Sequence, residues 1–323
     1  MKCRYLGFLL TVLAMVAACG GASAQTYPSK PVKLVVGYAP GGTPDVIARV
    51  IGQRLSIAMG QQFVVDNKTG SGGLISTQTV AKSPPDGYTL LVADVGQLAI
   101  SPFVFTQPGF DLLKDFAPIS MVATTPLFIA VNPNLKLANF KEFVAYAKAN
   151  PGKLNYGSAG IGSIHHISME SLKAELGIDM THVPYKGSGQ SAPAFLAGDV
   201  SVLAGALPAL RPAIDGNKAT LLAVTSLKRF SHSPNVPAVS EFIKGYDFPS
   251  EVGFLAPAGT PPAIISKLNA EINKVLKDPE LLTRLEGLGS DAVGTTPEAY
   301  TANLKANLVK YQKAVKISGA KAE

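Results

Sequence analysis

The stretch Val32–Asp45, VKLVVGYAPGGTPD, decides the fold. It opens with a β-rich apolar run that predicts a strand over Val32–Gly37, continues through a glycine loop, and ends on signals that start a helix. Thr43 is a good N-cap, Pro44 suits the first helical position, and Asp45 favours the first turn near the positive end of the helix dipole. Strand, glycine loop and helix in this order form the first half of a β-α-β unit.

The same alternation continues along the next fifty residues. Gly60 ends the first helix, and the pattern then predicts a strand over Gln62–Asp66, a helix over Ile75–Ala81 and a strand over Tyr88–Ala93. This β-α-β-α-β order predicts a parallel, doubly wound sheet.

A second α/β unit begins after Pro126. It contains a helix capped by Asn139, a Gly/Ser loop over Gly157–Ser163 and further strands up to Leu221–Val224. The later elements, including the strand Val252–Ala256, have no sheet of their own, so we expect them to return to the first unit. We therefore predict a first lobe over residues 25–126, a second lobe over 127–229, and a return to the first lobe over 230–323 that ends in a long C-terminal helix. Two crossings join the lobes.

Residues 1–24 are predicted to be a signal peptide. A short basic start precedes the apolar run Tyr5–Ala18, which is too short to span a bilayer as a permanent helix. Small residues before Gln25 favour cleavage after Ala24. The alternative is a lipoprotein box that ends at Cys19, whose acylation would hold the protein on a membrane.

Charge and cysteine content exclude several classes of function. The only cysteines, Cys3 and Cys19, would be lost with the leader, which suits an oxidising compartment and excludes cysteine nucleophiles and thiolate metal sites. Removing Lys2 and Arg4 would lower the formal net charge of +7 by two. The remaining basic residues are dispersed without a run, so we expect no nucleic acid partner.

Two glycine-rich loops, Gly41–Asp45 and Ser158–Ser163, are the candidate ligand site. Each joins a strand to a helix start, where ligands of parallel sheets bind and where unpaired N–H groups attract anions. One such contact contributes about 0.3–2 kcal/mol. Two loops that face each other across a cleft could approach the roughly −8 kcal/mol of micromolar binding. The alternative that both loops are only tight turns stays open.

Known catalytic motifs do not fit these loops. Gly70–Gly73 lacks the lysine of a phosphate loop, and Gly157–Gly162 lacks the dinucleotide spacing. The sequence contains no G-x-S-x-G elbow. A hydrolase triad of Ser163, His165 and Asp45 would form only if the lobes closed on each other.

A series of short motifs runs in a fixed order through almost the whole mature chain. They are Tyr27–Val32, Tyr38–Asp45, Asp66–Lys68 with Gly70–Gly73, Pro85–Leu91, Pro151–Tyr156, Val183–Gly187, Leu222–Ser226 and Ala256–Pro261. Each motif alone is weak, but the ordered set is specific. In this order they resemble the substrate-binding (Bug) proteins of tripartite tricarboxylate transporters.

The resemblance implies an α/β, two-lobed periplasmic binding protein fold of type II, with a ligand cleft between the lobes. It implies a monomer that captures a small organic acid and delivers it to membrane permease subunits, without catalysis, cofactor or metal. Family ligands are mostly di- and tricarboxylates, acidic amino acids and aromatic acids. Carried over onto this sequence, the ligand-binding residues are Tyr38, Ala39, Gly41, Gly42 and Asp45 in the first lobe and Ser158, Gly160, Gly162, Ser163 and Tyr185 in the second, with Lys186 nearby.

The two polar residues of this set differ in what they can do. Asp45 would repel an anion unless a water or backbone group intervened, so the alternative that it only caps its helix stays open. Ser163 is the better candidate, because its N–H and hydroxyl can both donate to a carboxylate.

Some positions depart from the family pattern. Val95–Leu98 replaces a polar stretch, Gly205-Ala206 replaces Asp-Asn, Glu251 replaces an aromatic residue, and Leu74 replaces Asn. If these residues line the pocket, its distal half is more apolar, and the ligand is a monocarboxylate or aromatic acid with an apolar body. Two other functions stay open, namely a ligand-sensing subunit for a membrane signalling partner and a periplasmic serine hydrolase.

Overall fold

The computed structural model describes residues 27–185 and 187–321. The predicted signal peptide, with Cys19, lies outside these ranges, as does Lys186. Cleavage after Ala24 and acylation of Cys19 therefore stay predictions. Within the described ranges, no helix has the length and apolar character that crossing a membrane requires.

The strands are short and mostly buried. In chain order they are β1 (Val32–Val36), β2 (Phe63–Asn67), β3 (Thr89–Asp94), β4 (Phe116–Thr125), β5 (Phe128–Val131), β6 (Leu154–Ser158), β7 (Met180–Pro184), β8 (Val202–Gly205), β9 (Thr220–Val224), β10 (Ser250–Pro257) and β11 (Asp291–Ala292).

Helices connect most of these strands. They are α1 (Thr43–Met59), α2 (Leu74–Ala81), α3 (Ser101–Val104), α4 (Phe140–Ala149), α5 (Ile164–Leu176), α6 (Ser188–Ala197), α7 (Leu207–Asp215), α8 (Pro262–Val275), α9 (Pro279–Gly287) and α10 (Pro297–Ser318). A π turn over Gly96–Ile100 lies between β3 and α3.

The first sheet has the strand order β11-β4-β10-β3-β1-β2. β1 pairs in parallel with β2 and β3, as predicted. β10 returns to this sheet, as expected, but it pairs antiparallel with β3 and β4. The sheet is therefore mixed rather than wholly parallel.

The second sheet has the order β7-β6-β8-β5-β9. β6 is parallel to β7 and β8, whereas β5 is antiparallel to β8 and β9. Each sheet carries helices and forms the centre of one lobe. The predicted α/β, two-lobed fold is thus confirmed, with a mixed sheet in each lobe.

Most predicted helix ends are confirmed, and one start shifts by a residue. Gly60 ends α1 in the left-handed conformation, and the Asn139 side chain caps α4 by accepting the N–H of Glu142. Gly42, rather than Thr43, is the N-cap of α1, because the Gly42 carbonyl accepts the first helical hydrogen bond from Val46 N–H.

The last part of the chain contacts both lobes. Phe230 stacks edge-on against Phe128 of the second sheet with ring centroids 6.1 Å apart, and the hydroxyl of Tyr246 donates to the carbonyl of Ser168 on α5. In α10, Tyr300 packs in the first lobe and Tyr311 in the second. The bound at residue 230 stays a prediction, and this packing favours one nearer the start of β10.

Candidate ligand-binding site

Both glycine loops lie where the strand order of a sheet reverses. β1 lies between β2 and β3 in the first sheet, and β6 lies between β7 and β8 in the second. Ligands of open α/β sheets bind in the crevice at such a switch point, outside the carboxyl ends of the strands. The loop after β1 and the loop after β6 therefore have the position that the sequence predicts for a binding site.

The loop between β1 and α1 presents an open glycine tip. Gly41 has φ +88°, a conformation that favours glycine, and a Cβ built on it would meet no heavy atom within 4 Å. Gly42 caps α1 without a side-chain hydrogen bond from the described residues. The first N–H groups of α1 therefore form a site that favours an anion.

Asp45 holds this loop in place from the first turn of α1. Its carboxylate accepts the N–H of Gly41 at Oδ2 over 2.8 Å, an Asn67 amide hydrogen at Oδ1 over 2.8 Å, and the Arg49 Nε–H at Oδ2 over 3.1 Å. Burial alone would raise the pKa of Asp45, but the hydrogen bonds from Arg49, Asn67 and Gly41 outweigh it and lower the pKa. These contacts support a structural role, and direct contact of Asp45 with ligand stays a prediction.

Tyr38, the first residue of the loop motif, is bound to an acid that the sequence analysis missed. Its hydroxyl donates to Asp94 Oδ1 over 2.5 Å, and the Gln97 N–H donates to the same oxygen over 3.0 Å. Burial raises the pKa of Asp94, and the hydrogen bonds offset this only in part. The signal in the sequence was an acidic residue at the end of the apolar strand TLLVAD, directly beside the switch point.

The loop after β6 is held together by its own polar groups. The Ser163 hydroxyl donates to the Gly160 carbonyl over 2.7 Å, and the Ser163 N–H donates to the same carbonyl over 3.1 Å. The Ser163 Oγ also caps α5 by accepting the N–H of His166. Both donors of Ser163 are thus engaged within the loop, so its contact with ligand stays a prediction.

Two glycines fix the shape of this second loop. Gly160 has φ +120°, and a Cβ there would lie 2.9 Å from the carbonyl oxygen of half-buried Tyr185. Gly162 has φ +76°, and its Cβ would lie 3.0 Å from Val104 on α3 of the first lobe. The second loop therefore contacts the segment that follows β3.

Two uncharged histidines, His166 and His182, contact the second loop. The Gly162 N–H donates to Nδ1 of His166 over 3.2 Å, and the His166 ring stacks on His182 at 4.0 Å. His182 Nε2 lies 2.6 Å from the buried Ser158 Oγ. Burial, with smaller effects from His166 and Lys173, lowers the pKa of His182 to about 3, so both rings act as uncharged supports near neutral pH.

The proposed hydrolase triad does not assemble in this arrangement. Ser163 donates to the Gly160 carbonyl, and Asp45 is bound to Arg49. In the described part of the chain, no hydrogen bond joins Ser163 to His165. The geometry therefore gives the serine a capping role.

The positions that depart from the family pattern lie mostly inside the lobes. Leu74 and Leu98 are 4 % and 1 % exposed. The Gln97 amide donates to two hydroxyls on α2, and the Glu251 carboxylate accepts from Asn307. Leu74 and Leu98 therefore pack in the core, which gives no support to the expectation that they line the distal pocket.

Known proteins share this fold. A solved structure of R. palustris Rpa4515 with adipate is 33% identical in sequence, with a TM-score of 0.84 over 91% of this chain and 99% of that chain. The periplasmic binding protein BugD is 32% identical, with a TM-score of 0.81 over 92% of this chain and 100% of that one. MatC from Rhodopseudomonas palustris with bound malate is 28% identical, with a TM-score of 0.79 over 90% and 100%.

A family model matches the chain from the second turn of α1 to the end of α10. It describes the tripartite tricarboxylate transporter family receptor and covers residues 47–318. Its members include periplasmic binding proteins, and two of the similar structures hold carboxylates. The resemblance deduced from the ordered motifs is thereby confirmed, and the chain belongs to the tripartite tricarboxylate transporter receptor family.

Proposed function

We propose that this chain is an extracytoplasmic solute-binding protein that captures a small carboxylate-bearing solute and delivers it to the membrane permease of a tripartite tricarboxylate-type transporter. The observation that carries the proposal is the pair of helix N-termini at the two switch points. α1 starts without a side-chain cap, and α5 starts directly after the second glycine loop. Helix N-termini favour anions, and two of them acting together can hold one carboxylate.

The proposed binding residues belong to the two glycine loops. Those of the first loop are Tyr38, Ala39, Gly41 and Gly42, with Asp45 acting through the Gly41 N–H that it orients. Those of the second loop are Ser158, Gly160, Gly162 and Ser163, with Tyr185 beside Gly160. The adipate and malate of the two similar structures support a carboxylate ligand here. An apolar body on that ligand stays a prediction.

A thermal-shift screen of small acids tests the proposal. At about 100-fold its dissociation constant a ligand should stabilise the protein by about 2.7 kcal/mol. We expect such a shift from at least one mono- or dicarboxylate, and a stabilisation of at most about 1.4 kcal/mol from the corresponding primary amide at the same concentration, because the amide lacks the anion. Equal shifts from an acid and its amide, or shifts only with neutral solutes, would contradict carboxylate capture.

The proposed location rests on the leader. Export with cleavage after Ala24 predicts a mature protein that starts at Gln25 and is released with the periplasmic fraction. The mass of the purified mature chain distinguishes this from a lipid-modified Cys19, which would start the chain six residues earlier and fractionate with membranes.

A further inference from the structure

The C-terminal helix α10 turns one long face to solvent. Exposed residues recur at every turn along its 22 residues, over a length of about 33 Å. They are Glu298, Ala299, Ala302, Lys305, Ala306, Val309, Gln312, Lys313, Lys316 and Ile317. We call these residues the outer face of α10.

The buried side of α10 packs in both lobes. Tyr300 and Leu304 belong to the core of the first lobe, and Tyr311 and Val315 belong to the core of the second. The outer face is therefore part of a rigid element that contacts both lobes at once.

The outer face is positively charged from the middle of the helix onward. The sequence has five lysines and no aspartate or glutamate from Lys305 to Lys321. Lys310 lies beside the outer face and pairs with Asp247, its Nζ being 3.9 Å from the carboxylate Oδ2. The three lysines on the outer face, Lys305, Lys313 and Lys316, form no ion pair within the described part of the chain. Their ammonium groups can therefore pair with the acids of another molecule.

Helix stability does not account for this charge. A lysine in the last turn is favoured by the helix dipole, which explains Lys316 but not Lys305 in the middle of the helix. Lys313 and Lys316 are neighbours on the helix surface, where like charges destabilise a helix. Val309 precedes Lys313 by four positions, where a glutamate would stabilise the helix, and it is 72 % exposed. A positive face with an exposed valine at its centre therefore fits a partner better than it fits solvent.

The packing of α10 favours a protein partner over a lipid surface. An amphipathic helix that enters a lipid interface buries its apolar face at the boundary of the acyl chains. In α10 the apolar side is already buried in the two lobes. An acidic protein surface can pair with the three lysines and also cover Val309, whereas a lipid surface would meet the charges alone.

We propose that the outer face of α10, around Lys305, Lys313 and Lys316, docks this protein to an acidic extracytoplasmic surface of its membrane permease. Because α10 packs in both lobes, a permease that binds this face contacts an element whose position depends on how the lobes are arranged. The inference rests on the proposed function, since it requires that a bound acid is delivered to a permease.

Uptake of a labelled acid by whole cells tests the docking surface. Cells of the source organism that lack their own copy of the gene receive the full chain, either as wild type or as Lys305→Glu/Lys313→Glu/Lys316→Glu. The labelled acid is the one that gives the largest thermal shift. The variant should slow its uptake at least about tenfold, because attraction to an acidic surface becomes repulsion. The affinity of the purified variant for the acid should stay within about twofold of wild type, since the outer face lies outside both glycine loops.

A matched control reverses three exposed lysines outside α10, in the variant Lys82→Glu/Lys218→Glu/Lys244→Glu. It changes the net charge by the same amount, and uptake should stay within about twofold of wild type. Glutamine at the three α10 positions removes the charges without adding acids, and should slow uptake about threefold. This second variant carries the test if the glutamate variant has a lowered Tm.

Three results would overturn the inference. Both α10 variants could support wild-type uptake, or the control could slow uptake as much as they do. In the third, the wild type, but not the glutamate variant, would float with vesicles of phosphatidylglycerol and phosphatidylcholine, which would assign the outer face to a lipid surface. In all three the wild type still imports the acid, so the proposed function survives. Equal uptake by cells with and without the protein would overturn the proposed function and this inference together.

Discussion

Replacing Asp45 by alanine removes the group that shapes the first binding loop. The substitution deletes the acceptor of the Gly41 N–H, of the Asn67 amide and of Arg49. Hydrogen bonds to a charged group contribute about 1.5–3 kcal/mol each. The bond to Arg49, whose side chain is half exposed, contributes about 0.2–1 kcal/mol because solvent screens it. We therefore expect a loss of about 3–7 kcal/mol in the free energy of unfolding.

Urea-induced unfolding, followed by circular dichroism, measures this loss. The matched control is Asp66→Ala, since Asp66 is only partly buried and its nearest cation, Lys33, lies 3.6 Å away; its effect should stay within about 0.5 kcal/mol. A loss below about 1 kcal/mol for Asp45→Ala would refute the view that this carboxylate holds the loop.

The pH dependence of the same difference gives a second check. The pKa of Asp45 is lowered in the folded protein, so its stabilisation is complete above the ordinary aspartate pKa and is lost as the pH falls through the lowered value. The gap between wild type and Asp45→Ala should therefore be constant from neutral pH to about pH 5 and shrink below about pH 4. A gap that grew on acidification would contradict the assigned hydrogen bonds.

Other perturbations probe the second loop. Ser163→Ala removes the cap of α5 and should cost about 1 kcal/mol in urea unfolding, whereas Ser226→Ala, on an exposed hydroxyl, should cost almost nothing. Gly160→Ala forces φ +120° on a residue whose Cβ would lie 2.9 Å from the Tyr185 carbonyl oxygen. The substitution should therefore lower the free energy of unfolding by about 1–3 kcal/mol and weaken acid binding. Unchanged isothermal titration curves for the acid would contradict this. His165 and His182 have pKa values lowered to about 4 and about 3, largely by burial, so the unfolded chain takes up their protons first and stability should fall as the pH drops below about 6.5. His182→Asn should flatten that fall in pH-resolved melts, and an unaltered slope would contradict burial of a neutral ring.

Much of this fold was predicted from the sequence, because helix caps and helix ends depend on contacts between residues that are close in the chain. Gly60 ends α1 and Asn139 caps α4 through contacts within one helical turn. β4 was not predicted, since Pro118 lies inside it and proline is unusual in a paired strand. The structure accommodates Pro118 beside a register shift between β4 and β10.

The strand, loop and helix order of the two candidate loops was predicted, but their internal bonding was not. The two loops follow from strand, glycine and helix signals that lie together in the chain. The bond from Tyr38 to Asp94 joins residues 56 positions apart, and no local pattern reports it. Likewise, the two donors of Ser163 are engaged by the Gly160 carbonyl because of the path of the loop, which depends on the positive φ of two glycines.

The contacts of the C-terminal helix could likewise be predicted only in part from the sequence. Its apolar spacing predicts a buried stripe, and Tyr300 and Tyr311 are both buried. Which lobe each residue contacts depends on how the lobes are placed, so only the structure shows that α10 packs on both.

The central claim is that the two loops hold a carboxylate. The most direct test is isothermal titration of the mature protein with the acid that gives the largest thermal shift, and with the primary amide of that acid. We expect binding of one acid per protein and a loss of at least about tenfold in affinity for the amide, the equivalent of about 1.4 kcal/mol. Equal affinity for the acid and its amide would contradict it.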